Sequence, residues 1–89
     1  MEGLNENTFD TELKEYINML CIKSNILMYE HDYKQSLDYY LEIISYNICS
    51  REILINIVEI YKMFHNFEFA LKYINISIDK YNIVIDYNI

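Results

Sequence analysis

The chain has 89 residues, of which 53% are hydrophobic, with one glycine, no proline and a formal net charge of −7. At this length it forms one small domain, near the size at which a single hydrophobic core is just sufficient. Because the seven lysine and arginine residues are spread singly along the chain, the sequence disfavours direct binding to nucleic acids or anionic membranes and favours a basic or apolar protein partner.

Residues 1–10 are polar and acidic and lack the features of a signal peptide. We predict that they form an N-terminal polar tail, and that Thr8 or Asp10 caps the first helix. The expected location is inside the cell, in the cytoplasm, with the nucleus left open. Apolar tracts such as residues 53–60 are interrupted by Asn56 and Glu59, far short of the ~20 residues that span a bilayer.

Apolar residues at three- and four-residue steps predict an all-α fold with four main helices. The first two predicted helices cover residues 11–30 and 33–45. Their predicted buried residues are Leu13, Tyr16, Ile17, Leu20, Cys21, Ile26 and Leu27, followed by Tyr33, Leu37, Tyr40, Leu41 and Ile44.

The other two predicted helices cover residues 51–64, with Ser50 as the N-cap, and residues 67–80. Their predicted buried residues are Ile53, Leu54, Ile57, Ile60, Tyr61 and Phe64, followed by Phe67, Ala70, Leu71, Ile74 and Ile78.

An internal repeat relates the two halves of the chain. Shifting residues 17–50 by 34 positions onto residues 51–84 aligns His31 with His65 and Ile26 with Ile60. A period of this length is typical of helical solenoids, in which each repeat is a pair of helices. The histidines then fall at matching turns between helices, one in each repeat, where they face water.

This pattern resembles the tetratricopeptide repeat, which has the same 34-residue period. The resemblance covers residues 17–84 as two repeats, 17–50 and 51–84, inside one domain at residues 11–84. It implies antiparallel helix pairs stacked as a short right-handed solenoid. Small residues are expected where helices cross closely, namely Ser24, Ser36, Ala70 and Ser77. An unrelated four-helix bundle with a chance duplication is the alternative.

The resemblance also implies a concave groove lined by the first helix of each repeat, and this groove is the candidate site for a protein partner. Its residues would be Asn18, Cys21, Ile22, Asn25, Met28 and Tyr29, with Glu52, Ile55, Asn56, Glu59, Lys62 and Met63. Asn25 and Asn56 match the two asparagines with which one branch of the family binds acidic chaperone tails. Cys21 stands where that branch has a lysine, which weakens the match.

The chain after the fourth predicted helix is rich in isoleucine, and residues 85–89 are predicted to be an apolar tail or an incomplete capping helix. We expect Ile83, Val84, Ile85, Tyr87 and Ile89 to dock onto a partner or a second copy, because exposed apolar residues at a solenoid end mark an interface. The alternative is that this segment folds back and caps the last helix itself.

No sequence motif indicates catalysis. Cys21, Cys49, His31 and His65 lack the short ligand spacing of structural zinc sites, and no phosphate-binding loop or nucleophile motif is present. We therefore expect no enzyme activity, metal, cofactor or small-molecule substrate. The predicted function is a protein–protein interaction module, either a structural subunit of a large assembly or a free adaptor that binds a short peptide.

Overall fold

A computed structural model describes the backbone of residues 2–85 and the side chains of residues 10–85. It contains four α-helices, α1 (Glu2–Tyr29), α2 (Tyr33–Ser45), α3 (Arg51–Met63) and α4 (Phe67–Tyr81). No strand occurs within residues 2–85. The predicted all-α fold is confirmed, and α2 has the predicted bounds.

Helix α1 begins nine residues earlier than predicted and includes both Thr8 and Asp10, so the predicted N-caps at these residues are wrong. No proline interrupts residues 2–10, and the acidic residues at positions 2 and 6 lie near the N-terminus of the helix. The helix dipole favours negative charge at that end. The polar composition of this stretch is therefore compatible with helix.

The turns between α1 and α2 and between α3 and α4 have the same backbone geometry. His31 and His65 both have left-handed φ angles, of 65° and 57°. In each turn the next residue, Asp32 or Asn66, donates its backbone N–H to the carbonyl five residues earlier, at 2.9 and 2.8 Å. The side chain of the same residue caps the following helix. The two turns that the sequence repeat aligns thus have the same geometry, and the predicted placement of both histidines at exposed turns is confirmed.

The third helix begins as predicted. The Ser50 hydroxyl accepts a hydrogen bond from the backbone N–H of Ile53 at 3.3 Å, which satisfies one of the free donors at the start of α3.

Each helix packs only against its neighbours in the chain, within the residues that the structure describes. Helix α1 packs against α2, α2 against α3, and α3 against α4. The fold is therefore two helical hairpins, α1–α2 and α3–α4, joined through the contact between α2 and α3.

The core has two parts. A larger cluster lies among α1, α2 and α3, and a smaller one combines α3, α4 and the segment that follows α4. The buried residues of the first are Ile17, Leu20, Leu37, Tyr40, Ile43, Ile53, Ile57 and Ile60, and those of the second are Leu54, Val58, Ala70 and Ile85.

The four small residues predicted at helix crossings are all completely buried. Between α1 and α2, the Ser36 hydroxyl donates a hydrogen bond to the Ser24 backbone carbonyl at 2.9 Å. The two backbones can approach this closely because neither residue has a long side chain.

Several residues predicted to be buried are exposed, and most of them lie on the outer helices. They are Tyr16, Ile26, Phe64, Phe67, Leu71 and Ile78. Ile26 is 52% exposed while Ile60, at the same repeat position, is 0% exposed, and Leu71 is 54% exposed while Leu37 is 7% exposed. The difference arises because α1 and α4 each have a neighbouring helix on one side only, among the helices that the structure describes.

Candidate protein-binding surface

The twelve predicted groove residues, which we call the A-helix face, lie on α1 and α3. None of them is buried. Asn18, Ile22, Asn25 and Tyr29 on α1 are exposed, as are Glu52 and Met63 on α3, and the other six are half-buried. The structure therefore leaves all twelve within reach of a partner.

Tyr40 of α2 joins the two halves of the A-helix face. Its side chain is almost fully buried, and its hydroxyl donates a hydrogen bond to Asn25 Oδ1 at 2.7 Å. Asn56 Nδ2 in turn donates to the same hydroxyl at 2.9 Å. One phenol thus links α1 to α3, whose backbones do not pack directly.

Sequence reasoning assigned Tyr40 to the core and missed this bridge. A signal was present, because a buried tyrosine needs a partner for its hydroxyl and the matching position in the second repeat is Ile74. Burial raises the pKa of Tyr40 above its ordinary value of 10.0, so the hydroxyl keeps its proton near neutral pH and can donate to Asn25.

Replacing Tyr40 with phenylalanine should lower the free energy of unfolding by about 1–2 kcal/mol, because it removes one donor and one acceptor while keeping the ring. Urea denaturation followed by circular dichroism measures the change. The matched control is Tyr39→Phe, one residue earlier on α2, where the side chain is only half-buried. Equal and small losses in both variants would contradict a structural role for the bridge.

Helix α1 has a row of exposed apolar residues that we call the α1 stripe, and two of them, Ile22 and Tyr29, also belong to the A-helix face. Its members are Met19, Ile22, Ile26 and Tyr29. Their steps of three, four and three residues place them on one side of the helix, and Tyr29 is 87% exposed. Lys23, the charged residue between Met19 and Tyr29, is also exposed and lies beside the row, four residues after Met19 and three before Ile26. A row of exposed apolar side chains of this kind is typical of a protein-interaction surface.

The segment after α4 partly folds back onto the chain. Ile85 is 6% exposed and packs with Leu54, Val58 and Ala70, and Ile83 is half-buried against the same cluster. Val84 is exposed. Of the five predicted docking residues, Ile83 and Ile85 therefore follow the fold-back alternative, and Tyr87 and Ile89 lie outside the described residues. Residues 82–85 are not helical.

The histidine and cysteine side chains do not form a reactive group. His31 Nδ1 lies 2.6 Å from the Tyr33 hydroxyl, whereas Asp32 binds Gln35, which confirms that these neighbours belong to the turn and do not pair. Both cysteines are free thiols. Burial raises the pKa of the Cys49 thiol from 9.0 to about 11 and raises that of Cys21 as well, so both resist forming the nucleophilic thiolate. Within residues 10–85 no group of three or more histidine, cysteine or acidic side chains is placed to hold a metal ion.

Alkaline pH should destabilise the fold. Burial raises the pKa values of Cys49 and Tyr40, and a hydrogen bond to Glu42 raises the pKa of exposed Tyr16 to about 12. Since each group keeps its proton to higher pH in the folded chain than in the unfolded chain, this stability is complete below about pH 9 and is lost as pH rises through the folded values. The melting temperature should therefore fall between about pH 9 and 11, and Cys49→Ala should reduce that fall. A melting temperature that stays constant to pH 11 would contradict the expectation.

Comparison of the chain with protein-family models, with curated proteins and with solved structures finds no match. The likeness to the tetratricopeptide repeat thus rests on the residues and on the helix arrangement described above. No helix within the described part of the chain combines the length and apolar character needed to cross a bilayer.

Proposed function

We propose that the chain is a non-catalytic protein–protein interaction module of the tetratricopeptide type and acts as a small structural subunit of a larger intracellular assembly. The observation that carries this proposal is the α1 stripe, because four apolar side chains in one row lose their contact with water only when another molecule covers them. The free cysteines fit a reducing compartment.

Support for the repeat type comes from the two matching turns at His31 and His65 and from the buried small residues at the helix crossings. The period of 34 residues and the pairing of consecutive helices agree with the same architecture. In that architecture the first helix of each repeat contacts the partner, and this supports the A-helix face as the proposed binding surface.

The partner's chemistry follows from the surface. The α1 stripe offers apolar contact to an amphipathic helix, and the net charge of −7 favours basic flanking residues on that helix. Nucleic acids, membranes and small-molecule substrates are not proposed as partners.

A free adaptor that binds a short peptide along the A-helix face is the second candidate, and it is supported by the accessibility of all twelve residues of that face. A free adaptor that binds the acidic tails of chaperones has less support. Asn25 and Asn56 already bind Tyr40, and Cys21 occupies the position of the basic clamp residue.

Site-specific photo-crosslinking tests the proposal. A photoreactive phenylalanine analogue replaces Tyr29 on the A-helix face, or Asp38 as the control on the outer side of α2, where the side chain is exposed. In cells of the native source, we expect a discrete crosslinked protein from position 29 and none from position 38. The same products from both positions, or no product from position 29, would contradict a partner on the A-helix face.

Gel filtration of a native extract separates the two candidates. A structural subunit should elute almost entirely in a large assembly, whereas a free adaptor should also elute at the size of the isolated chain.

A further inference from the structure

The contact between α2 and α3 shows how one repeat stacks on the next within this chain. Helix α3 contributes Ile53, Ile57 and Ile60 to the larger core cluster, where they pack with buried residues of α2 such as Leu37 and Tyr40. All five side chains are less than one-tenth exposed. This interface therefore has two complementary halves, one on the first helix of a repeat and one on the second.

Helix α1 has the same half-interface as α3. The positions 34 residues before Ile53, Ile57 and Ile60 are Met19, Lys23 and Ile26, and we call these three the N-terminal end face. All three are exposed, because no helix covers this side of α1 within the described residues.

Helix α4 has the other half-interface. Its residues Phe67, Leu71, Ile74 and Ile78, the C-terminal end face, lie 34 positions after four residues of α2. Those four residues, Tyr33, Leu37, Tyr40 and Ile44, are buried or half-buried. Phe67, Leu71 and Ile78 are instead exposed, although their apolar character is the same.

We propose that a second copy of this chain covers these end faces, with the N-terminal end face of one copy packing on the C-terminal end face of the next as α3 packs on α2. The occupant is a second copy because one chain carries both halves of a contact that it already uses internally. Such a head-to-tail contact joins two different surfaces. A stack of copies therefore keeps one uncovered N-terminal end face at one end and one uncovered C-terminal end face at the other.

The proposed stacking of two copies differs in two ways from the contact between α2 and α3 inside one copy. Lys23 replaces Ile57, but its ammonium lies 4.9 Å from the centre of the Tyr39 ring, so its charge is directed toward α2 and its stem can remain in the interface. Ile85 covers Leu54, Val58 and Ala70 and leaves Phe67, Leu71 and Ile78 exposed. Each copy also has a net charge of −7, so two copies repel each other. Association should therefore increase with salt, which screens this repulsion, as well as with protein concentration.

Sedimentation velocity on the full chain, over a wide range of concentrations at low and high salt, tests the proposal. We expect a concentration-dependent increase in mass for the wild type. Ile26→Glu and Leu71→Glu should each weaken association by about tenfold or more, because each buries an unpaired carboxylate. The circular dichroism spectrum of each variant is compared with that of the wild type. If Ile26→Glu or Leu71→Glu does not fold, Met19→Glu or Phe67→Glu tests the same face.

A mixture of the two variants gives the decisive result. Each variant retains one intact face, so a mixture of Ile26→Glu with Leu71→Glu should form a dimer that neither forms alone. A symmetric contact between two α1 helices would instead be disrupted by Ile26→Glu alone and would not be restored by mixing. That result, or a wild type that stays monomeric under all conditions, overturns the proposal and leaves the end faces to a different partner.

Lys14→Gln is the matched control, since Lys14 is an exposed residue of α1 outside the A-helix face, the α1 stripe and the N-terminal end face, and the substitution changes the net charge by the same amount as Ile26→Glu. It should leave stacking unchanged. Met19 and Ile26 belong to both the α1 stripe and the N-terminal end face, so a stacked copy would cover part of the stripe. The crosslinking experiment reports on Tyr29 in the A-helix face and the mixing experiment on the end faces, so failure of one proposal is distinguished from failure of the other.

Discussion

Replacing Ile60 with alanine is expected to lower the free energy of unfolding by about 2–5 kcal/mol, whereas Ile26→Ala, 34 residues earlier, should cost less than about 1 kcal/mol. Ile60 is completely buried between α2 and α3, and its removal leaves a cavity. Ile26 is half-exposed, so its truncation removes little packing. The pair compares the same substitution at the same repeat position in two environments.

Urea denaturation of both variants at low protein concentration measures these losses. A small domain has a total stability of only about 5–15 kcal/mol, so Ile60→Ala should also show a clear fall in melting temperature. Similar losses at the two positions would contradict the open face on α1. At high concentration the cost of Ile26→Ala should increase, because stacking would bury this residue.

Replacing Ser36 with leucine is the second large expected effect, a loss of about 2–4 kcal/mol. The larger side chain must fit between α1 and α2, where Ser36 is completely buried, and overpacking costs about 1–3 kcal/mol. The hydrogen bond from Ser36 to the Ser24 carbonyl is also lost, at about 1 kcal/mol.

Ser36→Ala is the control for that variant, since it removes the hydroxyl without adding volume. It should cost only about 1 kcal/mol, and alanine is already the residue at the matching position of the second repeat, Ala70, which is completely buried. Thermal unfolding of both variants separates the steric effect from the lost hydrogen bond. A leucine variant as stable as the alanine variant would show that the crossing is looser than described.

The features that sequence predicted correctly depend on local chemistry. The turns at His31 and His65 and the cap at Ser50 are each determined by a few adjacent residues, and the predicted small residues at the crossings depend on a repeat that is visible in the sequence. Sequence did not predict the burial of Ile26 and Leu71 correctly. Periodicity shows that these residues are apolar, but it does not show whether another helix is present to cover them.

The bridge at Tyr40 depends on contacts across three helices, since Asn25 and Asn56 lie 15 and 16 residues away in sequence. Nothing local identifies such a pair in advance. The start of α1 differs from the prediction for another reason. Thr8 and Asp10 are suitable N-cap residues, but no proline in residues 2–10 prevents the helix from extending beyond them toward the N-terminus.

The packing of each helix only against its chain neighbours has a consequence for folding kinetics. Contacts that are close in sequence form quickly, since little loop-closure entropy is lost before they are made. Among the helices that the structure describes, α2 and α3 have a neighbour on both sides while α1 and α4 have one each, so we expect amide hydrogens to exchange slowest in α2 and α3 and fastest in the outer helices.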